Sequence, residues 1–128
     1  MDKTTRLTVS LVLVRVILGV SMLMHGISKF SDLAGTVGFF SSLGVPAFMA
    51  YLVILIEIVG GIFMIIGLLV PLVALGFVVV LATAMFLLGL NRGYVGGVEL
   101  EVILIVLSIA TGFAHFEKKL FTFLPNVK

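Results

Sequence analysis

The chain has no cysteine, no tryptophan and very little charge of either sign. Without cysteine it cannot form disulfides, thiolate metal sites, iron–sulfur clusters or covalently attached haem. Without tryptophan, any aromatic belt at a membrane interface falls to Tyr51, Tyr94 and the phenylalanines. Charged residues make up 11% of the 128. A soluble domain carries about a quarter. Hydrophobic residues reach 62%, and the mean hydropathy is +1.40. This is the composition of an integral membrane protein whose first partner is the lipid bilayer. The net charge of +2 rests on so few groups that it bears on orientation and not on nucleic acid. A Gly-rich nucleotide loop, a nucleophile elbow and a metalloprotease helix are also missing.

Four segments are apolar enough, at about 20 residues each, to cross a bilayer. They run over about 7–28, 47–69, 72–90 and 98–116, which makes one all-α domain, a bundle of four transmembrane helices over 1–128. The first apolar run is too long for a signal-peptide core and has no A-x-A-like site after it, so it reads as a retained helix. Pro46 and Pro71 stand where the second and third helices should begin. A tight turn at Val70–Pro71 makes those two helices antiparallel neighbours. Asn91, Arg92, Gly93, Gly96 and Gly97 mark a short loop before the fourth. In the first loop, Asp32 can cap a short interfacial helix with Leu33, Val37 and Phe40 on one side. Lys3, Arg6, Lys118, Lys119 and Lys128 fall on the side of the termini, against Lys29 and Arg92 on the other. Both termini are therefore expected in the cytoplasm. The pairs Gly19/Gly26, Gly60/Gly67 and Ala110/Ala114 suit close helix packing within the bundle or in a homo-oligomer.

Ionisable residues inside a span must be paired or wet. In the first helix, Arg15, Gly19, Met22, Gly26 and Lys29 share one face, a seam of small residues with a cation at each end. Arg15 lies ~12 Å from the inner end of its helix and Glu57 ~18 Å from the inner end of the next. An Arg15–Glu57 ion pair is the expected lock between the two. His25, Lys29 and a carboxylate from Glu99 or Glu101 form a second layer near the outer end. Glu99 and Glu101 are two apart, so only one can face the bundle. His25 and His115 belong to opposite ends of the membrane, which argues against a bis-histidine haem. His115 is expected at the interface beside Glu117, Lys118 and Lys119. No clustered carboxylates or histidines suggest a metal site.

The runs RVILGVSMLMHGISKF, EIVGGIFMIIGLLVP and GGVELEVILIVL, in that order and spacing, resemble the DoxX family of small four-helix membrane proteins. The resemblance covers about Arg15 to Gly112. It carries over Arg15, Gly19, Gly26 and Lys29, then Glu57, Gly60, Gly61 and Gly67, then Glu99, and so favours Glu99 over Glu101 as the inward carboxylate. The end, ATGFAHFEKKLF, departs from the family's glycine-rich close. Family members are similar to the quinone-reducing membrane subunit of thiosulfate:quinone oxidoreductase. The resemblance thus implies a bacterial cell-membrane oxidoreductase component, a quinone as diffusible cofactor and a redox partner subunit as electron source.

On that reading, Arg15, His25, Lys29, Gly60 and Gly61 would hold the ligand. Glu57 and Glu99 would supply protons. The alternative is a small transporter, or a membrane anchor for a redox partner without catalysis of its own.

Overall fold

The computed structural model describes every residue except Leu90, Asn91, Lys118, Lys119, Leu120, Asn126 and Lys128, and only the backbone of Leu88 and Gly89. Helix α1 spans Lys3–Ser31. It starts where the Asp2 carboxylate accepts the Thr5 N–H at 2.8 Å and ends at Asp32. Asp32 in turn caps α2, Leu33–Ser42, by accepting the Gly35 N–H at 3.1 Å. The short helix expected in the first loop is therefore present. Gly44, at φ +77°, turns the chain toward Pro46, which precedes α3, Ala47–Ile66.

Helix α3 closes on Gly67 in the left-handed conformation, φ +85°, and α4, Val70–Ala84, follows at once with Pro71 in its first turn. The turn between them thus falls just ahead of Val70–Pro71, which already belong to α4. Helix α4 continues as a wider π-type turn over Met85–Gly89. A second π-type turn, Tyr94–Val98, kinks at Gly96 (φ +73°) and feeds α5, Glu99–Ala114.

Four helical stretches are long and apolar enough to span a membrane: Lys3–Ser31, Ala47–Ile66, Val70–Leu87 and Tyr94–Ala114. The first is longer than its apolar run because the two aspartates, not hydrophobicity, set its ends. The expected end of the third span at Leu90, and Asn91 of the following loop, lie outside the described residues.

Helix α1 packs along α3, and α4 along α5. The α1–α3 contact is backbone on backbone. A β-carbon at Gly19 would lie 2.8 Å from the Gly61 carbonyl oxygen, and one at Gly61 would lie 2.8 Å from both the Gly19 oxygen and the Leu23 nitrogen. Further along, a β-carbon at Gly26 would meet Ile58 and Glu57 side-chain carbons at 2.7 and 2.9 Å. Gly60 faces the other way and leaves room for the Phe77 ring. Leu18, Met22, Met64, Val70, Ala74, Phe77, Leu81 and Leu104 form the buried core.

The outward faces are apolar as well. Leu13, Ile17, Met24, Leu55, Leu75, Val79 and Val106 are exposed, whereas Arg15, Glu57, Ser108, Thr111 and His115 are buried. A polar interior inside an apolar shell suits lipid, not water, as the surrounding solvent.

The glycine contacts generate a graded outcome. Gly61→Leu must push α1 off α3 and should lower the thermal midpoint in detergent steeply, a loss of several kcal/mol. Gly38→Ala, in open space on α2, should be neutral or stabilising by about 0.5–1 kcal/mol.

Candidate functional site

Two buried polar centres lie at opposite ends of the bundle. Lys29 Nζ donates to Glu57 Oε1 and Oε2 at 2.9 and 3.0 Å. The glutamate is 4% exposed and the lysine 30%. Glu57 is thus a carboxylate sunk into the bundle, answered by a cation that reaches it from the α2 end. At the other end, Arg15 is fully buried. Its Nη2 donates to the Ile65 carbonyl at 3.2 Å, and its Nη1 donates to the carbonyls of Thr122, at 3.2 Å, and of Phe123. Its guanidinium also lies over the Phe123 ring, 5.2 Å from the centroid.

His115 completes this second centre. Its Nε2 is 3.1 Å from Arg15 Nη1 and its Nδ1 is 3.0 Å from the Thr111 carbonyl. Arginine can only donate, so Nε2 accepts and Nδ1–H donates, which makes the ring neutral. The tail is held to the α3–α4 turn by an antiparallel bridge between Leu68 and Phe121 and by Thr122 N–H donating to the Gly67 carbonyl at 2.6 Å.

The expected Arg15–Glu57 pair is therefore corrected. The stagger of the two helices explains why. Gly19 sits opposite Gly61 and Ile65, and Gly26 opposite Glu57 and Ile58. Since the helices run antiparallel, Arg15 comes level with the end of α3, and Lys29 is the cation within reach of Glu57. Depth counted from helix ends misses this, because it assumes that both helices start in one plane. His115 is corrected too: it is buried against Arg15, not interfacial. Lys118, Lys119 and Lys128 lie outside the described residues.

Around the Lys29–Glu57 pair the helices leave a cavity of about 690 Å³. Lys29, Glu57, His25 and Glu101 are among its polar groups, with Asp32, Thr36 and Thr83 at its rim. Phe39, Phe40, Val53, Ile56, Val80 and Leu104 supply much of its apolar wall. Thr36, on α2, donates its hydroxyl to the Lys29 carbonyl at 3.0 Å and so ties the short helix to the site.

Glu101, not Glu99, is the carboxylate of α5 that lines the cavity. It sits 4.0 Å from Arg92, and its Oε2 is buried without a hydrogen-bond partner among the described residues. The reason is periodicity. Glu101, Leu104, Ser108, Thr111 and His115 form one stripe at three- and four-residue spacing, and its last four members are buried. Glu99 is off that stripe. The stripe is readable in the sequence, but the family motif points to the other carboxylate.

Gly60 and Gly61 take up helix contacts and do not line the cavity, and Arg15 lies at the far end. Among the described residues no group of three or more His, Cys, Asp or Glu could hold a metal ion.

Pairing makes the two centres separable by mutation. Lys29→Met strands a buried carboxylate and should cost about 3 kcal/mol in thermal or chemical unfolding, most of it recovered in Lys29→Met with Glu57→Met. Arg15→Leu and Glu57→Leu should instead add to within about 0.5 kcal/mol, because they share no contact. Removing residues 121–128 should destabilise the wild type more than it destabilises Arg15→Leu, since the guanidinium then loses its carbonyls while buried.

Comparison with known proteins places this geometry. The DoxX family model matches residues 10–90, which hold most of α1 and all of α2 to α4 with Lys29 and Glu57 and stop short of Glu99 and Glu101. A protein of Bacillus subtilis (strain 168) named "Putative oxidoreductase CatD" is 38% identical over 97 residues, covering 76% of this chain and 72% of that protein. No solved structure matches the chain. A family match over most of the chain, carried by the helices that build the polar cavity, leads to one conclusion: this four-helix membrane protein belongs to the DoxX family.

Proposed function

We propose that the chain is the membrane component of a quinone-linked redox or detoxification system and that its ligand sits in the cavity beside Lys29 and Glu57. The observation that carries this reading is the cavity itself: largely apolar walls from α1 to α5 around one ion pair whose carboxylate is buried. The related protein's name, as an oxidoreductase, supports the same class of chemistry.

A quinone ring is a flat apolar body with two carbonyl oxygens. It needs apolar walls, a donor to an oxygen and a source of protons on reduction. Lys29 spends two N–H bonds on Glu57 and has a third for a ligand oxygen. That ammonium would stabilise the negative charge which grows on the oxygen as electrons arrive. Reduction to the quinol takes two electrons and two protons. The electrons come from a redox partner subunit. Glu57 and Glu101 both line the cavity and relay the two protons, each carboxylate taking up a proton from the medium before passing it to a quinone oxygen, and His25 is a further group able to exchange a proton with them. Arg15 has a different duty: it clamps the tail.

A solute or proton path through the bundle is the second reading, and one observation weighs against it. Leu18, Met22, Met64, Phe77 and Leu104 belong to one buried apolar core, and Leu18 and Met22 stand between Arg15 and Lys29 along α1. In the orientation given by the lysine and arginine counts, the termini are cytoplasmic and the cavity lies in the outer half of the bacterial cell membrane.

Titration of the purified protein in nanodiscs with menadione, followed by calorimetry, tests the reading. Binding should be saturable and should weaken about tenfold or more in Lys29→Met, Glu57→Gln and Glu101→Gln, while Glu99→Gln leaves it unchanged. Absence of saturable binding, or binding indifferent to Glu57, would sink it. Liposome proton flux that depends on Glu57 would favour transport instead.

A further inference from the structure

The cavity has a side that the helices do not seal. Helix α2 packs on α1 and α3, whereas α4 packs on α3 and α5. The two nevertheless form facing walls of the same cavity, with Phe39, Phe40 and Leu43 on α2 and Val79, Val80, Thr83 and Leu87 on α4. Phe39, Val79 and Leu87 are both cavity-lining and about half exposed, as is Leu52 on the floor between them. Thr83 Oγ1 donates to the Val79 carbonyl at 2.8 Å, so its hydroxyl is spent within the helix. Thr36 on α2 likewise spends its hydroxyl on the Lys29 and Asp32 carbonyls, so the opening between Phe39, Leu43, Val79 and Leu87 is apolar.

Its depth decides what it faces. Val79 to Leu87 belong to the spanning stretch Val70–Leu87. They begin nine residues, ~14 Å, from its start at the tail end. The opening runs from mid-span to the far end of that stretch, and its Val79 end faces hydrocarbon, not water.

From this placement we propose that the gap between α2 and α4 is a lateral portal: the ligand enters from the bilayer, its head reaches Lys29 and Glu57, and its hydrocarbon tail stays in the gap and runs out into lipid. The ligand class is an amphiphile with a flat carbonyl-bearing head and a long apolar tail. The proposal rests on the reading of the cavity as a quinone site and adds where the tail lies and how the ligand arrives. The gap and the polar site are one continuous space, and the change from polar to apolar lining runs along it in the order such a molecule requires. The same opening would let a membrane-dissolved ligand exchange without crossing the interface, where its tail would have to leave hydrocarbon.

The test compares a tailed and a tailless ligand. Thr83→Trp with Leu87→Trp fills the α4 side of the portal and leaves Lys29, Glu57 and the cavity wall beside them in place. In nanodiscs it should weaken binding of menaquinone-4 by about tenfold or more and leave menadione within about twofold. As a second measurement, Thr83→Cys gives a single thiol in a chain without native cysteine. Its labelling by a lipid-soluble maleimide should be blocked by menaquinone-4 and not by menadione. Equal loss or equal retention of both ligands in the tryptophan variant, or labelling that neither ligand or both ligands block, overturns the portal. Menadione binding that persists unchanged in Glu57→Gln overturns the site reading instead, whatever the portal variants do.

Discussion

Gly19 and Gly61 bring the backbones of α1 and α3 into direct contact, with Gly26 seated on Glu57 and Ile58 two turns further on. That contact sets the stagger of the two helices, and the stagger decides which charge meets which. In lipid the helices gain little from hydrophobic burial, since the acyl chains are as apolar as the side chains they would replace. Close packing through small residues and the matching of buried polar groups are what remain. Here the two agree: the stagger that lets the glycines meet also brings the Lys29 ammonium to Glu57 and sets Arg15 level with the turn after α3.

Arg15 then shows how a membrane bundle settles a buried cation without a carboxylate. Among the described residues its contacts are three carbonyls, one imidazole nitrogen and an aromatic face. The carbonyls come from a helix end and from a tail segment outside any helix, the places where backbone oxygens are free of helical bonds. Gly67 makes this possible. Its left-handed turn exposes the carbonyl that Thr122 bonds, and a side chain there would collide with the backbone of Phe123, at 2.8 Å. The tail that departs from the family's usual close thus works as a strap over the buried arginine.

Much of this architecture is legible in the chain's own residues. The apolar runs and the two helix-starting prolines mark out four spans, and the capping aspartate in the first loop marks α2, because spanning length and caps are local properties. The face of α1 bearing Arg15, Gly19, Met22, Gly26 and Lys29 is legible as well, since one helix has a fixed period. Even Glu101 is within reach, on the stripe that runs through Leu104, Ser108, Thr111 and His115 to Arg15. The family pattern draws attention to Glu99, which that stripe leaves out.

The sequence by itself determined that this is a membrane bundle, where its helices fall, and which residues share the polar face of α1. Those features follow from composition and from the geometry of a single helix. Only the tertiary structure decided that Glu57 belongs to Lys29, that Arg15 belongs to His115 and the tail, and that α2 and α4 stand apart around a cavity. Each of these depends on the displacement of one helix along another. No single helix encodes that displacement, because it is the joint solution of glycine contacts on two helices and of every buried charge that must find a partner.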